Sequence, residues 1–161
     1  MRKKNLQKWF LLSIVSLAFM LFASDAEAQE HNVLSEIELG NYMQEWKMLK
    51  TMELADIFYK YSDCSDPSNG VYPERILFKV VNKTDNKVYV YWEYLLEYDN
   101  QPANASPNEN LVQVHLEPNQ SLEGNCDNLH QTKLGIFFRY KDQQTILTDF
   151  QLDDLNEYIM D

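Results

Sequence analysis

The chain holds 161 residues, one domain's worth, with 14 Lys and Arg against 25 Asp and Glu and a formal net charge of −11. Such acidity repels nucleic acid and anionic membrane surfaces and argues against both as partners. The two cysteines and three scattered histidines supply too few ligands at ligand spacing for a zinc site, so neither a metal nor a cofactor is expected.

The first segment reads as an export signal. Arg2, Lys3 and Lys4 form a basic start, Trp9 to Ala23 is nearly all apolar, and Ala26-Glu27-Ala28 supplies small residues two apart. Cleavage after Ala28 is expected. The alternative is an uncleaved anchor, although the apolar run falls short of the roughly 20 residues that a spanning helix needs. Removing residues 1–28 takes away Arg2, Lys3, Lys4 and Lys8 together with Asp25 and Glu27, which moves the charge to −13. The mature protein is then secreted or periplasmic, with no stable membrane span.

Residues 29–44 read as a short arm, in which Ser35 and Glu38 resemble a helix capping box. The domain is expected over 45–161. Short strands are expected at Trp46–Leu49 and Ala55–Tyr61, in competition with a helix over Tyr42–Tyr59 that Met, Leu, Glu and Lys would favour. Ser62–Glu74, with two prolines and Asn-Gly, reads as loop.

The stretch Ile76–Tyr98 holds the strongest signal. Ile76, Phe78 and Val80 alternate in one run, and Val88, Val90, Trp92 and Tyr94 in the next. Asn82–Lys87 between them has turn chemistry, so the two runs are expected to form a hairpin. The Leu95-Leu96 doublet predicts a bulge or bend in the second run. Asp99–Asn110 is polar surface. Further strands are expected at Leu111–Leu116, Ser121–Glu123, Leu134–Lys141 and Thr145–Leu152, with the carboxylates beyond as a solvated acidic tail. About seven or eight short strands separated by turns predict an all-β chain, a single sandwich.

The succession YKYSDC, ILFKVVNKTDNKVYVYW, VHLEPNQSLEGNC and LTDFQL resembles small exported Ig-like β-sandwich proteins of Bacteroidota-type bacteria. The resemblance covers roughly Trp46 to Leu155 and implies an Ig-like topology. It carries over no activity and no site residue.

Cys64 and Cys126 both lie in the exported part, where an even pair is usually a disulfide. The bridge closes a loop of about 60 residues, worth about 4 kcal/mol in the chain-entropy model. Free thiols are the other reading.

Catalytic residues are not expected. The sequence shows no Gly-x-Ser-x-Gly and no activated Cys, and the pair Glu93 and Glu97 faces solvent rather than a large cleft. His31, His115 and His130 read as solvent-exposed. Aromatics stand out, with ten Tyr, eight Phe and three Trp. If Val90, Trp92 and Tyr94 face the core, Tyr89 and Tyr91 face outward about 7 Å apart along the strand. Such a platform suits an envelope protein or a glycan; cover for a neighbouring strand is the competing reading. The expectation is a non-catalytic interaction module of the cell envelope, or alternatively a carbohydrate- or small-ligand-binding module.

Overall fold

A computed structural model of the protein describes residues 45–106, 108–127 and 129–160. The expected signal (1–28) and arm (29–44) lie outside the described residues. The described part is all-β, with nine strands in two antiparallel sheets packed in a sandwich-like arrangement. Among the described residues no helix is long and apolar enough to cross a membrane.

The first sheet contains Lys47–Thr51 (β1), Ala55–Asp63 (β2), Pro73–Asn82 (β3), Ser121–Glu123 (β7) and Gly135–Tyr140 (β8), in the order β1-β2-β3 with β7 and β8 sharing the far side of β3. The second contains Val88–Tyr98 (β4), Gln101–Pro102 (β5), Leu111–Leu116 (β6) and Leu147–Ile159 (β9). Here β4 is central, with β5 and β6 on one side and β9 on the other. A short helix, Leu129–Thr132 (α1), precedes β8. Strand formation wins over the competing helix at 47–59 because Ala55, Ile57, Tyr59 and Tyr61 alternate with half-exposed residues, a period of two that suits only a half-buried strand.

The inward faces of both sheets share one core. Phe78 on β3 lies at its middle, with its ring 5.4 Å from Tyr94 on β4 and 6.0 Å from Phe150 on β9. Val88, Val90 and Trp92 on β4 and Val112 and Val114 on β6 complete the second sheet's share, all essentially removed from water. Each such side chain contributes about 1.5–3 kcal/mol of apolar burial.

Two expectations about the centre of the chain are corrected. β3 and β4 do not form a hairpin. β3 is flanked by β2, β7 and β8, and β4 by β5, β6 and β9, so the polar turn 83–87 is an arch that crosses from one sheet to the other. The buried Asn82 holds the arch shut. Its Nδ2 donates to the carbonyls of Asn86 (2.7 Å) and Glu117 (2.9 Å), while its Oδ1 accepts from Thr84 N and Oγ1, both at 2.9 Å. Nor does Leu95-Leu96 interrupt β4: Leu95 is exposed and Leu96 packs on the core, in unbroken alternation.

The irregularities lie on the partner strand β9, where the register with β4 shifts at Tyr91/Glu93 and again at Glu97/Tyr98. Each shift leaves one residue of β9 unmatched, Asp154 in the first case and Thr148 in the second. Asp154 stands at φ 48°, the left-handed conformation that a bulge of this kind requires. The expected acidic tail is therefore strand. Glu157 near its end accepts from Leu54 N (2.8 Å) and Ala55 N (2.9 Å), which ties the β1–β2 turn of the first sheet to the second.

Cys64 and Cys126 form the expected disulfide, with Cα atoms 5.4 Å apart. It joins the loop after β2 to the segment between β7 and α1. Close by, Gly124 N donates to Phe78 O and Leu134 O accepts from Phe78 N, so both strands that follow one another beside β3 are pinned at the same residue.

Candidate functional site

The outward face of the second sheet gathers aromatic rings. In β4 the inward set Val88, Val90, Trp92 and Tyr94 forces Tyr89, Tyr91 and Glu93 to the other side. Register then decides their neighbours. Tyr89 is paired with His115 of β6 on one side and Tyr158 of β9 on the other, and Tyr91 with Gln113 and Asn156. The result is a strip of four rings. The His115 ring lies 4.7 Å from Tyr89, Tyr89 lies 5.7 Å from Tyr91, and Tyr91 lies 6.1 Å from Tyr158 with planes only 19° apart.

Hydrogen bonds fix the strip. Gln113 Nε2 donates to Tyr89 Oη at 2.7 Å. Hydrogen bonding between the Tyr91 and Tyr158 side chains, reinforced by partial desolvation and by the nearby Asp154 charge, pushes the Tyr91 phenol up to about 12. The Tyr91 phenol is thus neutral at physiological pH and presents an O–H dipole beside an apolar ring face. Tyr158 is half exposed to water, so the strip is open to a partner.

Charge surrounds the rings on one side only. β4, β5, β6 and β9 contain six carboxylates (Glu93, Glu97, Asp149, Asp153, Asp154 and Glu157) and neither Lys nor Arg. The first sheet carries the opposite balance, with Lys47, Lys50, Lys60, Arg75, Lys79 and Arg139 in its strands against Asp56, Asp63, Glu74 and Glu123. There Trp46 packs under Lys60 Nζ, 4.4 Å from the ring centroid. Of the second sheet's carboxylates, Glu157 turns to the first sheet's amides, while Asp154 acts on Tyr91 and Glu93 shares the outward face of the rings.

The structure brings Tyr89 and Tyr91 to one open face and adds two rings that the sequence reading did not join to them. His115 was recognised as outward-facing, but only strand pairing places it against Tyr89. Tyr158 lies in β9, beyond the last strand that alternation predicts. Glu93 shares the outward face of β4 and is exposed, while His130 lies apart on α1. His31 lies outside the described residues. Among the described residues no group of three His, Cys, Asp or Glu is placed to hold a metal ion. Compared with protein-family models, with curated proteins and with solved structures, the chain matches none.

Proposed function

We propose that the mature protein is an exported, non-catalytic interaction module of the cell envelope, secreted or periplasmic, which binds a protein partner through the tyrosine face of its second sheet. The observation that carries this reading is the continuous strip His115–Tyr89–Tyr91–Tyr158 on the outward face of the second sheet. Tyrosine supplies a rigid apolar body with a polar tip, the combination enriched at protein interfaces. The carboxylates of Glu93 and Asp154 beside it favour a partner whose contact surface is basic. An Ig-like classification of the sandwich rests on the crossings β3 to β4, β6 to β7 and β8 to β9 between the sheets.

A glycan is the second reading. It is favoured by the carboxylate of Glu93 and the amide of Gln113 next to the rings, since a sugar offers an apolar face to aromatic rings and hydroxyls to such groups.

The two are separated by capture from the envelope fraction of the producing cell, with the mature protein and a Tyr89→Ala/Tyr91→Ala/Tyr158→Ala variant as baits. One protein retained near stoichiometric amount by the wild type and lost with the variant, while near-ultraviolet circular dichroism stays native, supports the protein partner. Equal retention by both baits removes the tyrosine face from the reading. Retention of no protein, with binding to an immobilised glycan that the variant loses, transfers the face to the glycan.

A further inference from the structure

A second feature lies away from the tyrosine strip. Where the end of β4 meets β8 under α1, a cleft of about 320 Å³ opens at the margin of the two sheets. That is the lower end of the range for small-ligand sites. Leu96, Tyr98, Ile136 and Phe137 supply apolar and aromatic wall, and the rings of Tyr98 and Phe137 stand 6.0 Å apart.

Cations outnumber carboxylates at this cleft, against the grain of the whole chain, with Arg75 and Lys133 beside the single Glu109. Arg75 reaches it from β3, with its guanidinium carbon 5.9 Å from the centroid of the Phe137 ring. Among the described residues Arg75 makes no ion pair and no hydrogen bond, whereas Lys79, Lys83, Lys87, Arg139 and Lys141 are each paired with a carboxylate. A half-buried guanidinium has five donors in a planar fork, and none of them is used here. Lys133 also lines the cleft. Its Nζ donates to the carbonyls of Asn108 (2.9 Å) and Glu109 (3.1 Å), which uses two of its three hydrogens and leaves its charge without a carboxylate partner. His130 adds an imidazole to the lining, and Glu109 is the one carboxylate in it. Tyr98 donates to Phe137 O at 2.8 Å, and burial pushes its phenol up to about 12 against the opposing pull of Arg75, so this wall stays neutral.

We propose that the cleft between β4, β8 and α1 is a binding site for a small aromatic carboxylate or sulfonate, whose anionic group pairs with the unpartnered Arg75 guanidinium while its ring packs against Phe137 and Tyr98. A small anion is selected over an extended polyanion. At physiological ionic strength the field of the remote carboxylates is screened beyond about 8 Å, while a polymer or an anionic surface would meet all of them. The site is independent of the tyrosine face.

The test is a fluorescence titration of the mature protein with anilinonaphthalene sulfonate, under conditions in which near-ultraviolet circular dichroism is native. Saturable one-site binding is expected, weakened about tenfold in Arg75→Gln, since a charge-assisted pair is lost, and strengthened in Glu109→Gln. Benzoate should displace the probe and uncharged benzamide should not. The Tyr89→Ala/Tyr91→Ala variant should bind the probe as the wild type does. Unchanged affinity in Arg75→Gln, equal displacement by benzamide, or loss of binding in the tyrosine variant would each overturn the proposal. If Arg75→Gln does not fold, Arg75→Lys replaces it: weakened binding, since a point charge lacks the planar fork, supports the site, and unchanged affinity refutes it.

Discussion

Tyr91 of β4 and Tyr158 of β9 stack across paired strands with their planes 19° apart, and the hydrogen bond with Tyr158 raises the pKa of the Tyr91 phenol. A phenol whose folded-state value lies above its ordinary 10.0 adds stability that is complete below about pH 10 and is lost as the pH rises through its folded value. Tyr91 and Tyr98 both reach about 12, so the alkaline flank of the stability curve should fall between about pH 10 and 12. In Tyr158→Phe the main cause of the Tyr91 perturbation disappears. Ultraviolet difference titration should then show one phenol moving back toward 10; an unchanged titration curve would break the link between the two rings.

Asn82 satisfies four polar groups of the arch from a nearly water-free position. Asn82→Ala should cost about 3 kcal/mol, from lost hydrogen bonds and from carbonyls left unpaired. Urea denaturation reads this as a lower midpoint at unchanged slope. Asn82→Asp should also destabilise, because a carboxylate cannot donate to Asn86 O and Glu117 O.

Gly124 is fixed by close approach. A Cβ at this position would stand 1.8 Å from the carbonyl oxygen of Leu134, so the backbones beside Phe78 would have to separate. Gly124→Ala is expected to cost several kcal/mol, in the range of overpacked cores or above, read as loss of the cooperative thermal transition near the wild-type temperature.

The Cys64–Cys126 bridge closes a long loop, with a sequence separation of 62 residues. Cys64→Ala/Cys126→Ala should lower stability by about 4 kcal/mol on the chain-entropy account. Equilibrium urea curves of the oxidised protein, the reduced protein and the double variant should place the last two together.

Glu157→Ala removes the acceptor for two backbone amides of the β1–β2 turn. The expected cost is about 2 kcal/mol. Hydrogen exchange gives the specific signature, with faster exchange at the Leu54 and Ala55 amides than the global change accounts for.

Much of this architecture was legible from alternation alone. Val88, Val90, Trp92 and Tyr94 announce an inward face, and the outward placement of Tyr89 and Tyr91 follows from parity without any knowledge of partners. The hairpin was misread because Asn82–Lys87 has the same chemistry whether a turn returns to its neighbour or crosses to a facing sheet. What distinguishes the two is that β3 already has partners on both sides, and those lie at 55–63 and 121–140. The extent of β9 was hidden for a different reason. Its core-directed residues Leu147, Phe150, Leu152 and Leu155 follow no constant interval, since two bulges interrupt the period of two, and its acids imitate a solvated tail. Half of the aromatic strip was therefore visible, and the half supplied by pairing was not.

β9 has 13 residues and β4 has 11, and the unmatched Thr148 and Asp154 account for the excess. Deleting both would leave every remaining side chain on its present face, so the strand's length is free to vary at these two points. What the extra residues supply is protection against self-templating. On its outer side β9 pairs with no strand among the described residues, and a straightened strand of this length would offer a continuous row of amides and carbonyls to the next molecule. Two bulges and an Asp in the left-handed conformation interrupt that row, which works against edge-to-edge pairing of β9 with a second molecule.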